Sequence, residues 1–190
     1  MGQQTINRSF VDELNYRLST VANTGAPFGF LGLALSHLPT DAHFAVLYCL
    51  IGLAGYTLAE YGFHRWILHY FRIPGHLRHH SHPVEPEALP FSAGFTAHVA
   101  LLFILTLTFG LAAATWIVAG SSAGYAFFCH VHDIEHREAW LAQRLWPKLH
   151  RHHMLHHHTD RPPTGAPADG GCNYGVVTTA WDRLFGTFRG

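Results

Sequence analysis

Residues 88–132, ALPFSAGFTAHVALLFILTLTFGLAAATWIVAGSSAGYAFFCHVH, run for 45 positions without a single Lys, Arg, Asp or Glu. A helix needs about 20 apolar residues to cross a hydrocarbon core of about 30 Å. Residues 95–131 are therefore long enough for two crossings or a deep hairpin, broken near Gly110 or around Gly120–Ser122. Upstream, HFAVLYCLIGLAGYTLA lies between Asp41 and Glu60, and residues 42–62 make a span by themselves. Between Arg17 and Asp41 lies PFGFLGLALSHL, residues 27–38, short for a full crossing. It either extends upstream through Val21–Gly25 or forms a tilted or re-entrant piece. A soluble helical protein would have to cover these stretches with very little remaining chain.

The expected fold is all-α and integral to a membrane, with about four transmembrane helices in two hairpins. Pro39–Thr40–Asp41 forms the first tight turn, and the middle of 95–131 the second. All 12 basic residues then fall on one face, which the positive-inside rule places in the cytoplasm together with both termini. A helical cap on that face is expected to hold a histidine-rich di-metal site. The 190 residues read as one membrane-embedded domain, with 1–25 as a polar N-terminal segment that lacks the apolar core of a cleavable signal. Thr159 to Gly171, rich in Pro, Gly and Ala, reads as a loop.

Composition narrows the function. Charged residues are 13% of the chain, about half the usual share. The 12 basic and 12 acidic residues cancel, which gives no reason to expect nucleic-acid binding. Cys49, Cys129 and Cys172 have neither metal-type nor redox-type spacing, so no disulfide framework is implied. The outlying number is 18 histidines.

Four histidine clusters stand just outside the proposed spans: His64 with His69; His76 with His79 and His80; His132 with His136; and His153 with His156 and His157. Residues three and four apart share a helix face, which the last three clusters satisfy. His64 and His69 are five apart, about 140° round an ideal helix, so they need a distorted turn or bind different metals. Imidazole suits Fe, Cu, Ni and Zn. Ten histidines exceed what one ion can use, and two ions with about five ligands each is the natural count. His37, His43 and His98 read as ordinary surface or core residues, and the run from His150 to His158 could also be an adventitious metal-binding tract.

Glu60-Tyr-Gly-Phe-His64-Arg-Trp-Ile-Leu-His69, then His76-Leu-Arg-His79-His80-Ser-His-Pro83, then Gly124-Tyr125 leading to His132 and His136, then Leu149-His-Arg-His-His153-Met-Leu-His156-His157, and finally Asn173-Tyr-Gly through Trp181-Asp182-Arg-Leu-Phe-Gly186-Thr187 follow one another in order. Over residues 56–188 this pattern resembles the fatty acid hydroxylase and sterol desaturase superfamily of membrane di-iron enzymes. The His-x-x-His-His-x-x-Pro box is most similar to the fatty acid 2-hydroxylase branch, whereas Cys129-His130-Val-His132-Asp133 differs from that branch and His132-Asp133 is similar to carotenoid hydroxylases. The resemblance implies metal ligation by His64, His69, His76, His79, His80, His132, His136, His153, His156 and His157. It implies iron, although zinc fits the same donors and can occupy them in a purified preparation.

The implied reaction is O2-dependent hydroxylation of a lipid C–H bond, on an acyl chain in the first instance, with sterol or carotenoid oxidation as alternatives. The substrate would enter from the bilayer. Glu60, Asp133, Glu135 and Asp182 are expected to include acceptors for histidine N–H groups, with Asp182 foremost. The sequence holds no ferredoxin-like cysteine motif, dinucleotide fingerprint or haem-type cytochrome segment, so a separate ferredoxin or b-type cytochrome is expected to supply electrons. Arg137, Arg144, Lys148 and Arg151 offer it a basic patch. A membrane metal-binding or transport protein is the reading from another class, and a hydrolytic di-zinc protein is a further one. Small size and the lack of a retention signal suggest a bacterial inner membrane.

Overall fold

The computed structural model describes residues 10–85, 92–159 and 171–190. Among these residues every regular element is helical. Helix α1 is Phe10–Leu35, α2 is Ala42–Gly62, a π-helical segment covers Phe63–Tyr70, and α3 is Pro74–Ser81. Then come α4 (Ala93–Phe109), α5 (Leu111–Arg137), α6 (Ala139–Leu145), α7 (Pro147–Thr159) and α8 (Ala180–Leu184). Residues 160–170 of the expected loop lie outside the described residues.

Three stretches are long and apolar enough to cross a membrane: Glu13–Leu35, Ala42–Tyr70 and Leu111–Arg137. Helix α4, with 17 residues, rises about 26 Å at about 1.5 Å per residue, short of the full hydrocarbon thickness. The expectation of about four spans therefore becomes three full-length helices and one shorter apolar one. Phe28 and Leu107 are each 73% exposed on the helix surfaces, as suits contact with lipid rather than water.

The structure settles two boundaries that the sequence left open. The first span extends upstream past Val21–Gly25: α1 continues back through Pro27 to Phe10, so the polar segment is partly helix. Its charges sit in the opening turns, where Arg17 pairs with Glu13 at 2.7 Å. The second hairpin breaks at Gly110 (φ +80°), and Gly120–Ser122 stays inside α5. Gly120 serves packing instead of turning. A Cβ at Gly120 would collide with the Cys49 carbonyl, and one at Gly52 with the Ile117 carbonyl. Small residues thus let the α2 and α5 backbones touch, the usual route to helix association in lipid.

Helix α5 is the central post, packed against α1, α2 and α4. Phe30 and Ala34 of α1 meet Val118 and Ala119 of α5 in the buried midsection. At one end, Tyr16 donates to Asp133 at 3.0 Å and accepts from Arg137 at 2.6 Å, which brings the start of α1 beside the end of α5. The histidine-bearing ends of α2 and α5 therefore open on the same side. His98 is a satisfied core residue, bonded to the Gly94 carbonyl (2.7 Å) and the Ser121 hydroxyl (3.2 Å). None of the three cysteines forms a disulfide among the described residues.

Gly120→Val is expected to cost about 1–3 kcal/mol through overpacking. It should lower the thermal midpoint of the detergent-solubilised protein, and an unchanged midpoint would refute the close α2–α5 contact.

Candidate metal centre

The five-residue spacing of His64 and His69 is resolved by the backbone. Residues 63–70 leave the α-helix for a π-helix, whose i→i+5 bonding brings residues five apart into register. Both rings then face inward, with their Nε2 atoms 3.2 Å apart. The sequence left two outcomes open for this pair, and the distorted turn is the one found.

His64 and His69 join His76, His80 and His156, whose ring nitrogens all lie within 4.8 Å of one another. His76 Nε2 is 3.1 Å from His64 Nε2 and 2.9 Å from His69 Nε2, and His156 Nε2 is 3.1 Å from His69 Nε2. A second group gathers His79, His132, His136 and His157 under the same criterion. His153 completes it, with Nε2 2.9 Å from His136 Nε2 and its ring packed on His132 and His157. The groups share a wall where His80 and His157 stack at 4.3 Å. All ten histidines picked out in the sequence converge, in two sets of five.

The protonation of these rings decides what they can hold. His64 Nδ1 lies 2.5 Å from the Tyr174 carbonyl, and His156 Nδ1 lies 2.7 Å from the Cys172 carbonyl. A carbonyl only accepts, so both Nδ1 atoms carry the proton and both Nε2 atoms present lone pairs. Burial, reinforced by neighbouring imidazoles, holds His76, His153, His156 and His157 well below the ordinary histidine range. Burial and His80 push His79 down to about 4. Neutral rings whose lone pairs meet at about 3 Å repel one another unless a cation lies between them. Both ring nitrogens of His157 are buried without a hydrogen-bond partner among the described residues. The donor set fits two transition-metal ions.

The C-terminal segment fixes the first group from outside. Asp182, fully buried, accepts through Oδ1 from the Tyr174 amide (2.8 Å) and the Thr187 hydroxyl (2.7 Å). Its Oδ2 accepts from the Gly175 amide (2.8 Å) and His152 Nε2 (3.2 Å). Burial alone would raise this carboxyl, but the four donors outweigh it and hold its pKa below the ordinary value. A Cβ on Gly175 would strike the Thr178 carbonyl, so only glycine admits this approach. Asn173, left-handed at φ 59°, ties the same strand down by bonding the Arg189 amide (2.7 Å) and the His152 carbonyl (3.2 Å). Trp181 anchors the segment on α2 by donating to Thr57 at 3.0 Å, and Tyr61 reaches it through Thr187 (3.0 Å) and a stacked Phe185 (5.3 Å).

The other carboxylates divide. Glu60 accepts from the Val176 amide at 3.1 Å and has no hydrogen bond to a histidine among the described residues. Asp133 turns toward α1, bonded to Tyr16 and Arg137, so the expectation that it orients a metal-site histidine is not met. Glu135 lies fully buried with Oε2 3.8 Å from His153 Nε2. Even Asp182 reaches the first group only through backbone, its one histidine contact being His152. The Cys172 and Tyr174 carbonyls were invisible in the sequence because a backbone acceptor has no residue signature. Left-handed Asn173 beside Gly175 was the available hint.

Three apolar helices, two of which end on the same side in abutting imidazole groups, define a helical membrane protein with a histidine centre that could hold metal. The chain belongs to the fatty acid hydroxylase family, whose profile matches residues 49–187, and it is an oxidoreductase that hydroxylates lipid acyl chains. It is 28% identical over 189 residues to the dihydroceramide fatty acyl 2-hydroxylase FAH2 of Arabidopsis thaliana, covering 92% of this chain and 68% of that one. It is 26% identical over 180 residues to the ceramide very long chain fatty acid hydroxylase SCS7 of Saccharomyces cerevisiae, covering 84% of this chain but only 42% of the yeast protein. A solved structure of full-length scs7p, in which only the hydroxylase domain is visible, shares the fold with a TM-score of 0.68 at 21% identity, over 96% of this chain and 70% of that one.

Because His64 and His156 share one group and His136 belongs to the other, metal content should follow group membership. His64→Ala and His156→Ala should each lose one ion, and the double variant no more than one. His64→Ala combined with His136→Ala should lose both. Equal losses from every pairing, read by metal analysis per chain, would refute the partition.

Proposed function

We propose that this chain is a di-iron oxygenase that hydroxylates a long fatty acyl chain at the carbon beside its carboxyl or amide carbonyl, on a lipid drawn from the bilayer. The reading rests on one observation: ten imidazoles gather in two groups, with Nε2 atoms 2.9–3.1 Å apart within each. His64, His69, His76, His80 and His156 would hold one iron, and His79, His132, His136, His153 and His157 the other. Irons bound there supply O2 activation, so that RH + O2 + 2e− + 2H+ gives ROH + H2O.

The chain's own residues bind, orient and exclude water. The Tyr174 and Cys172 carbonyls fix the tautomers of His64 and His156, so their Nε2 atoms stay donors to metal. Tyr61 and Tyr174, both fully buried, close the site on the side of the C-terminal segment. The spans deliver an acyl chain to the same end at which the histidines lie. The carbon-2 position follows the plant relative, a fatty acyl 2-hydroxylase, together with the second histidine box. Desaturation or ring hydroxylation of another lipid would use the same centre.

The decisive assay incubates iron-reloaded protein in vesicles with ceramide and free fatty acid, a chemical or protein reductant, and 18O2. Hydroxylation at carbon 2 predicts one labelled oxygen in the product. An unlabelled product that has lost two hydrogens would instead mark a desaturase. Metal flux without lipid oxidation would mark a transporter.

The two electrons come from outside, and an acidic ferredoxin or b-type cytochrome is the fitting donor. Arg144, Lys148 and Arg151 are exposed at helical spacing across α6 and α7, and Arg137 lies beyond them. The same helix α7 carries His153, His156 and His157 inward, so a donor on its outer face stands about one helix diameter, about 10 Å, from the centre. By the positive-inside rule this face is cytoplasmic. Arg144→Glu with Lys148→Glu should slow turnover with a protein donor at least about tenfold and weaken its salt dependence. Turnover with a small chemical reductant should be unchanged, and an equal loss with both reductants would refute the docking face.

A further inference from the structure

We infer that the two metal positions are inequivalent, and that Asp182 is a positioning residue for only one of them. The inference rests on the di-metal reading above. In the first group, two of the five rings are oriented by backbone carbonyls, His64 by Tyr174 and His156 by Cys172. Both carbonyls belong to one non-helical stretch, Cys172–Gly175. Asp182 grips that stretch through the Tyr174 and Gly175 amides, while Asn173 ties it to Arg189 and α7. In the second group, among the described residues, His79 meets the Glu85 backbone and the Nδ1 atoms of His153 and His157 are buried without a hydrogen-bond partner, so no single segment orients two rings there. Outer partners that orient an imidazole and raise its basicity are worth about 10–100-fold in metal affinity. The first group therefore binds the tighter ion and fills first.

Asp182 accepts four hydrogen bonds on two oxygens. An amide in its place keeps the shape but has one acceptor oxygen, and its NH2 would face N–H or O–H donors. Asp182→Asn therefore releases the strand at Tyr174 and leaves His64 and His156 without a fixed tautomer. Nothing in that change reaches His79, His132, His136 or His157. His152 is the one other path, since it touches Asp182 from α7 next to His153. His152→Ala separates that path from the strand.

The test uses the full chain in detergent, loaded with Zn2+ as a redox-silent probe, and follows zinc per chain under increasing chelator. Wild-type protein should hold two ions and release them in two steps, with the His64/His156 position last. That assignment is made by comparison with His156→Ala and His136→Ala. Asp182→Asn should weaken the tighter step about 10–100-fold while the weaker step stays put. Thr187→Val, which removes one donor to Asp182, should give a smaller shift in the same step. His152→Ala should leave the tighter step in place. A single step in wild type, or an Asp182→Asn effect confined to the weaker step or reproduced by His152→Ala, would overturn the proposal. Should Asp182→Asn fail to fold, Thr187→Val carries the test alone. Failure of wild type to bind two ions would sink the di-metal reading itself, a different outcome from two ions released together.

Discussion

Close nitrogen-to-nitrogen contacts among imidazoles are the constraint on which this structure turns. Ten rings, six of them buried, gather in two groups with Nε2 contacts of 2.9–3.2 Å, and wherever two lone pairs face each other the contact is repulsive without positive charge between them. Two rings have their protons pinned on the far side by carbonyls that cannot donate. The arrangement is costly as a bare fold and favourable as a metal cage. The C-terminal segment, the π-helical segment and the lie of α7 all serve to hold it.

The membrane solves the complementary problem of placing ligands from four distant segments at one depth. Spans that end on histidines deliver them to one face, because each hairpin returns the chain to the side from which it left. Helix α5 does this for His132 and His136, and its glycine contact with α2 sets it against the helix that carries His64 and His69. Helix α7 packs over the centre, with His153 and His156 buried and Lys148 and Arg151 exposed. In the proposed reading, lipid would reach the centre from the spans and an electron donor from the outer face of α7, so neither path would have to cross the other.

Much of this was legible in the residues. The 45-residue uncharged run pointed to an all-helical membrane protein, the i, i+3, i+4 spacing of three histidine boxes marked eight candidate ligands, and the family resemblance added His64 and His69. What failed to show was whatever depends on backbone. The π-helix over 63–70 cannot be told from an α-helix by composition, so His64 and His69 looked mismatched. Gly120 was a plausible turn until the neighbouring carbonyl of Cys49 explained it as a close-packing residue. Asp133 carries the same chemistry as Asp182, yet lies on the α1 face, where it bonds to Tyr16. Sequence distance from a histidine box does not predict which way a carboxylate turns, whereas Asp182 is committed by the four donors that the fold brings to it.

X-ray absorption at the iron edge of anaerobically reloaded protein tests the central claim most directly. Two irons per chain, with nitrogen nearest neighbours and the outer scattering of imidazole rings, are the predicted result. One iron per chain, or a coordination shell dominated by carboxylate or sulfur, would contradict it.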